Sequence, residues 1–327
     1  MTIRYATIGT SWITREFIGG AALAGGLQLA AVYSRNEETG AAFAAGLGGV
    51  PVYTDLEKLA ASGIDAVYIA SPNSLHYPQS RFFLERGIHV LCEKPAALDP
   101  AQLLELQNLA ASKKLVCVEA LMFSYSPTRF ILGEAIERAG KITSARLDFS
   151  QYSSRYSALK NGEKPNVFSN KMGGGCLMDL GMYCVCPMLS YFGEPESIFC
   201  SVSRFDADTD LAFSAVFTYP FGDVAVTCSK AGQSRLGSEF IGEGGTVCVE
   251  SLSLLGNIRF INASGVSEQL APMPERRLVL SYEAREFRDF IIAPERTRKR
   301  LEEVCETSLG VAVYLEKMRS LAGIKLV

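Results

Sequence analysis

Ile3-Arg4-Tyr5-Ala6-Thr7-Ile8-Gly9-Thr10-Ser11-Trp12-Ile13-Thr14 is a short apolar, β-branched run that breaks at a glycine and passes directly into helix-forming sequence. A strand that ends in glycine just ahead of a helix is how a dinucleotide-binding fold opens. The glycine makes the tight turn, and the first amides of the helix receive a pyrophosphate. The full fingerprint is Gly-x-Gly-x-x-Gly, and only its first glycine, Gly9, is present. Ser11 is small enough for close backbone approach and offers a hydroxyl; Trp12 and Ile13 bring the opening amides; Thr14 stands where the packing glycine would be. An ordinary strand-to-helix turn would leave the same trace, so the motif carries weight only together with the strands downstream of it.

Working outward, similar apolar runs recur at 27–33, 66–70, 89–92 and 115–118, each separated from the next by a helical pattern. Strands that are apolar on both faces and joined by helices predict a doubly wound α/β Rossmann fold with a parallel sheet. After Phe123 the pattern changes. The runs 198–203, 211–219 and 224–229 alternate with period two, and Pro220-Phe221-Gly222-Asp223 supplies a turn between the last pair. With helical patterns at 176–191 and 300–321, this predicts an α+β domain built on a mostly antiparallel open sheet. The expected division is a nucleotide-binding domain over 1–120 and a substrate-binding and oligomerisation domain over 121–327, packed directly because no Gly/Ser-rich linker separates them.

The chain has 327 residues, enough for two ordinary domains, and its 48% hydrophobic and 20% charged composition is that of a globular protein. Its formal charge of −3 makes no field to gather nucleic acid or an anionic membrane, so a small-molecule partner is expected. The basic run at 296–300 is followed by Glu302 and Glu303 and reads as a solvated helix face. Nine cysteines without Cys-x-x-Cys pairs suggest neither a disulfide framework nor a zinc knuckle, and no metal site is expected. With no signal pattern after Met1 and no run of about 18 apolar residues, a cytoplasmic location is expected. Only two histidines, His76 and His89, are present. Any proton chemistry must then come mainly from Lys, Tyr, Asp or Glu rather than from a Ser-His-Asp triad.

The second strand runs into Tyr33-Ser34-Arg35. An acidic residue there would hold a ribose 2′-hydroxyl, whereas a guanidinium suits a 2′-phosphate. NADP is therefore expected, with NAD kept open by Glu37 nearby. Ser71-Pro72-Asn73 follows the strand at 66–70, at the carboxyl edge where such folds bind ligands; Ser71 and Asn73 equally suit a helix N-cap. His76 lies in that helix's first turn, as a structural or cofactor-adjacent residue. The next strand leads into Glu93-Lys94-Pro95, which aims a lysine toward the crevice. Far downstream, Gly173-Gly174-Gly175 opens a helix carrying Asp179 and Tyr183 four residues apart, a spacing that puts both on one helical face. Helix-start electrostatics for Asp179 and core packing for Tyr183 are the plainer readings of each alone.

Together these residues resemble the glucose-fructose oxidoreductase/inositol dehydrogenase (Gfo/Idh/MocA) family over essentially the whole chain. The carriers are the turn at Gly9, Ser71-Pro72-Asn73 with His76, the run His89-Val90-Leu91-Cys92-Glu93-Lys94-Pro95, and Gly173-Gly174-Gly175 with Asp179, Gly181 and Tyr183. Many members have histidine in place of Tyr183; the tyrosine resembles the dimeric dihydrodiol dehydrogenase and D-xylose dehydrogenase branch. The resemblance implies hydride transfer between a nicotinamide and a CH-OH or C=O carbon of a sugar, polyol or dihydrodiol, with lysine and tyrosine as the catalytic pair. It also implies a homodimer or homotetramer formed through the open sheet face.

The expected cofactor-binding set is Gly9, Ser11, Trp12, Ile13, Ser34, Arg35, Ser71, Pro72, Asn73, His76, Glu93 and Lys94. Lys94, Tyr183 and Asp179 are the expected catalytic groups. Glu93 either contacts the nicotinamide or anchors its loop. An ammonium near Tyr183 would stabilise its phenolate as the base, or Lys94 itself would carry the proton. The polar, aromatic stretch 152–171 is expected to help line the substrate pocket, with Arg155, Lys160 and Phe168 as candidates beside Lys94, Asp179 and Tyr183. Other chemistries hosted by such a fold are a glycosidase or isomerase that oxidises transiently, and a dinucleotide-binding regulator without turnover.

Overall fold

Ile3–Ile8 (β1) exposes only Arg4 among its six residues, as a strand buried between two helical layers must. In the computed structural model, which describes residues 2–206 and 209–325, β1 sits inside a parallel sheet of six strands. The others are β2 (Leu27–Tyr33), β3 (Val52–Tyr53), β4 (Ala66–Ile69), β5 (His89–Glu93) and β6 (Cys117–Ala120), in the order β3-β2-β1-β4-β5-β6. Strand order reverses at the β1/β4 pair, so the connections leaving the carboxyl ends of β1 and β4 diverge to opposite faces and open a crevice. The expected doubly wound sheet is thus present, with β3 added; its two residues are too few to carry a periodic signal.

Local chemistry sets the connecting helices. Asn36 accepts from Thr39 N–H at 2.8 Å to cap Glu37–Ala45, whose first turn carries two glutamates. Asp99 caps Pro100–Ser112 by accepting from Ala101 N–H at 2.7 Å, with proline at the first helical position.

A second sheet has eight strands: β7 (Ile142–Ser150), β8 (Ser197–Arg204), β9 (Asp210–Tyr219), β10 (Gly222–Ser229), β11 (Ser238–Gly242), β12 (Gly245–Ser251), β13 (Gly256–Asn262) and β14 (Ser267–Ala271). Their order is β14-β13-β12-β11-β7-β10-β9-β8, antiparallel except between β7 and β10. Along β9 the side chains of Phe213, Ala215, Phe217 and Tyr219 are buried while Ser214 and Val216 are exposed, the alternation of a sheet covered on one face. The helices Thr128–Arg138, Cys176–Leu180 and Met182–Phe192 pack on this sheet. Among the described residues no single helix is long and apolar enough to cross a membrane.

The chain divides into two compact units, Met1–Tyr125 with Glu275–Leu309, and Ser126–Pro274 with Gly310–Val327. The first unit therefore takes back a segment that sequence order alone would give to the second. Helix Arg276–Ile292 packs along helix Trp12–Ala24, and Ala284, Phe287 and Phe290 join Phe17 and Ala21 in one core. Phe17 and Tyr68 stack there with ring centroids 3.7 Å apart.

The helix expected over 176–191 is two helices, Cys176–Leu180 and Met182–Phe192, divided at Gly181. The axes of 170–180 and 182–192 meet at 49°. Asp179 thus closes one helix and Tyr183 opens the next, and the predicted single helical face is not formed.

Candidate active site

In the first unit, a cleft of about 530 Å³ opens at the carboxyl ends of β1, β2 and β4. Gly9, Ser11, Ser34, Arg35, Ser71 and Pro72 all line it. Gly9 has φ +112°, and a Cβ there would lie 2.6 Å from the Ala70 carbonyl oxygen, so the turn is open only to glycine. Ser11 Oγ lies 3.1 Å from Thr14 Oγ1, beside the opening amides of helix Trp12–Ala24. Arg35 is exposed, and no described carboxylate forms an ion pair with it. The cleft lining contains one guanidinium and no acidic side chain. A glycine cradle, three serines, helix-opening amides and an unopposed arginine suit a dinucleotide carrying an additional phosphate.

The other sequence-predicted residues of this unit stand around the cleft. Trp12 is 65% exposed, with Arg276 Cζ 5.3 Å from its ring centroid, and Ile13 is half-buried. Asn73 begins a 3-10 turn, Asn73–Leu75, which leads into helix His76–Glu85. Ser71 Oγ donates to Gln79 Oε1 at 2.7 Å rather than capping that helix.

His76 is buried, with Nδ1 2.8 Å from the Pro95 carbonyl and Nε2 2.8 Å from the Ser71 carbonyl. Its ring ties the connection after β4 to the connection after β5. Burial pushes its pKa down, and the Lys94 ammonium adds to that, against the pull of the two carbonyls. His76 is therefore a buried strut between the two connections.

Lys94 follows directly on β5 and is half-buried. Glu93 is turned back toward its own unit. Tyr68 Oη donates to Glu93 Oε1 at 2.5 Å, and the Lys94 backbone N–H donates to Oε2 at 3.2 Å. Beyond the cis Lys94-Pro95 bond, Ala96 N–H donates to Glu119 Oε1 at 2.8 Å, and Ser308 Oγ donates to Glu119 Oε2. Burial raises the Glu119 pKa, while those two donors and the Lys94 charge oppose the rise. Glu119 fastens the loop that follows Lys94.

In the second unit, Gly175 precedes helix Cys176–Leu180 with φ +108°, and a Cβ there would fall 2.1 Å from Asp210 Oδ1. The space is taken because Asp210, buried at the start of β9, accepts from Leu177 N–H at 2.7 Å and caps the helix from the sheet. Asp179 pairs with Lys230, whose Nζ lies 2.7 Å from Asp179 Oδ2. Tyr183 is half-buried with its ring centroid 4.3 Å from that of Phe149.

Phe168 is 2% exposed, packed against Tyr156 at 6.2 Å between centroids and beneath the Lys230 ammonium at 5.1 Å. Arg155 is exposed at the start of helix Tyr156–Lys160, and the Lys160 ammonium lies 5.2 Å from the Tyr156 ring.

A Rossmann sheet with a glycine turn, followed by a second unit of mixed sheet and helix, is the frame of a two-domain dinucleotide-binding protein. Residues 3–121 match the Gfo/Idh/MocA oxidoreductase family's NAD-binding Rossmann fold, and residues 135–248 match that family's C-terminal domain. A scyllo-inositol 2-dehydrogenase (NADP(+)) of Bacillus subtilis is 34% identical over 323 residues, covering 98% of both proteins. An uncharacterised oxidoreductase of Escherichia coli is 38% identical over 288 residues, 87% of each. The chain belongs to the Gfo/Idh/MocA family. A 3-ketoreductase from Actinomadura kijaniata, solved with NADP and TDP-benzene, shares the fold at TM-score 0.84 and 22% identity over 98% of both chains.

Proposed function

We propose that this protein is an NADP-dependent dehydrogenase that oxidises a secondary alcohol of a polyol or sugar, and reduces the matching carbonyl in reverse. The observation that carries the cofactor choice is the lining of the first unit's cleft, with Arg35 and Ser34 present and no carboxylate. A 2′-phosphate there meets a guanidinium and nothing that repels it. The polyol reading is supported by end-to-end similarity to an inositol dehydrogenase, and Asp179 and Lys94 offer the charged hydrogen-bonding groups that substrate hydroxyls need.

Bound NADP would accept the hydride from the carbinol carbon. The protein's part is proton transfer and orientation. Tyr183 receives the hydroxyl proton, and the Lys94 ammonium stabilises the phenolate that does so, because a phenol of ordinary pKa about 10 is a weak base at neutral pH. In the second assignment Lys94 itself carries the proton. Asp179 orients the substrate by accepting from a second hydroxyl beside the reacting one. Glu93, held by Tyr68 and its own strand, anchors the loop on which Lys94 stands.

The working state in this proposal is a cytoplasmic homodimer or homotetramer. It would join through the open sheet face, where Phe199 on β8 is 68% exposed beside its register partner Val216 on β9.

The test is a panel of inositols, sugars and trans-dihydrodiols assayed with NADP and NAD by absorbance of the reduced nicotinamide, on wild type and Lys94→Ala. Wild type reduces NADP in preference to NAD, and Lys94→Ala loses turnover by roughly 10³-fold or more while still binding NADPH. Unchanged turnover in Lys94→Ala would refute the reading.

A further inference from the structure

Lys230 was not visible as a functional residue from sequence. It follows β10 directly, in the run Ser229-Lys230-Ala231-Gly232, where a lysine ordinarily points to water. Instead its side chain is 3% exposed. The ammonium donates to Asp179 Oδ2 at 2.7 Å and to the Val167 carbonyl at 2.9 Å, and it lies 5.1 Å from the Phe168 ring centroid. Its backbone N–H donates to the Leu211 carbonyl at 2.8 Å, continuing the β9–β10 ladder by one step past its last strand residue.

That one extra step places Lys230 beside Asp210, the first residue of β9. The end of the β9–β10 hairpin therefore presents two opposite charges to one short helix. Asp210 takes the helix at Leu177 N–H, and Lys230 takes it at the Asp179 carboxylate. Cys176–Leu180 is five residues long, too short to hold its own geometry in isolation, so these two tertiary bonds set where Asp179 points. Lys230 also fixes residues 166–168, against which Gly174 is packed so closely that a Cβ there would lie 2.5 Å from the Asn166 carbonyl oxygen.

We propose that Lys230 is a positioning residue of the active site: by donating to both Asp179 and Val167 it orients the Asp179 carboxylate toward the substrate hydroxyl beside the reacting one. Stabilisation alone is a poor account of such a lysine. A buried ion pair contributes little net stability once desolvation is counted, and apolar residues would fill the same space at no loss. A carboxylate with 30% of its side chain still exposed, yet held by a buried ammonium, is what a site needs to hold a hydroxyl in one direction.

The inference rests on Asp179 acting on substrate, as in the function proposed above, and a double-mutant cycle separates the two. Lys230→Met, Asp179→Asn and the double variant are assayed as full-length protein with NADP and scyllo-inositol, or whichever alcohol the panel identifies. Lys230→Met is expected to lower kcat by roughly 100-fold with KM for NADP unchanged, and to add almost nothing in the Asp179→Asn background. Lys230→Ala supplied with ethylammonium or propylammonium should recover part of the lost rate, which a purely structural defect would not.

Equal losses from Lys230→Met in both backgrounds, or full activity of a folded Lys230→Met, would overturn the inference while leaving the proposed function intact. Full activity of Asp179→Asn would overturn the Asp179 role itself. If Lys230→Met does not fold, Lys230→Arg keeps the charge but moves the nitrogen. It should then fold and show the same kcat-selective loss to a smaller degree, and wild-type kcat in it would refute the proposal.

Discussion

Replacing Glu283 by glutamine isolates the energetics of one buried acid. Glu283 is fully buried on helix Arg276–Ile292, flanked by the core residues Ala284 and Phe287, and neither of its carboxyl oxygens has a hydrogen-bond partner among the described residues. Burial pushes its pKa well above the ordinary 4.5, and the Glu93 carboxylate pushes it further the same way. The folded protein therefore holds this proton more tightly than the unfolded chain does. Above pH 4.5 the unfolded chain ionises and the folded one does not, so stability falls as pH rises, and the loss levels off once the folded carboxyl ionises too.

One proton of difference is worth about 1.4 kcal/mol per pH unit. Spread over the roughly 160 residues of the first unit at about 2.1 cal/mol/K per residue, that is about 4 °C in Tm per pH unit. Glutamine keeps the shape and removes the titration. Its own amide adds an offset, but that offset does not vary with pH. Thermal melts of wild type and Glu283→Gln from about pH 5 to pH 8 should show Tm(variant) minus Tm(wild type) climbing with pH at up to that slope and then flattening. A difference that stays constant across the range would refute the assignment of Glu283 as a neutral buried acid.

Arg35→Ala should weaken NADPH binding by roughly 10- to 100-fold, the loss of one charge-assisted contact, and leave NADH within about twofold; titration of nicotinamide fluorescence checks it, and equal losses for both cofactors would defeat the 2′-phosphate argument. Asp210→Ala removes the cap of helix Cys176–Leu180 and strands a buried N–H, so urea unfolding should show a loss of about 1–3 kcal/mol in the second unit. A change below about 0.5 kcal/mol would mean the sheet does not hold that helix by this bond.

The parallel sheet was legible because its strands are apolar on both faces and separated by amphipathic stretches, a pattern with no competing interpretation over 100 residues. What sequence could not show was long-range packing. Helix Arg276–Ile292 follows the second sheet in the chain but shares the core of Phe17, and periodicity says which face of a helix is buried without saying against what. The break at Gly181 was hidden for a related reason. Apolar residues continue through Met182, Val185 and Met188, so the pattern runs on while the backbone turns.

Of the candidate site, the cleft residues Gly9, Ser11, Ser34, Arg35, Ser71 and Pro72 were readable from their place at strand ends, while Lys230 was not, since its partner Asp179 lies 51 positions away. Two missed acids did leave a trace. Glu119 interrupts the apolar run Cys117-Val118-Glu119-Ala120, and Glu283 falls at helical spacing between Leu280 and Phe287. A lone acid on a buried face marks a place to look for a polar partner or a retained proton.

Three residues that sequence missed, Glu119, Asp210 and Lys230, share a physical task with His76, which it named. Segments that border a ligand site must stay open, so they cannot be fixed by packing apolar side chains into one another. His76 between two carbonyls, Glu119 between Ala96 and Ser308, Asp210 on Leu177 and Lys230 on Asp179 each fix a segment beside the proposed chemistry with hydrogen bonds made inside the protein. Such bonds are directional where apolar contacts are not, and in a low-dielectric interior each is expensive to leave half-made. A loop held this way has one arrangement that satisfies every group, which gives a proton-transfer site its fixed geometry. It also makes these positions intolerant of substitutions that an apolar core of the same volume would accept.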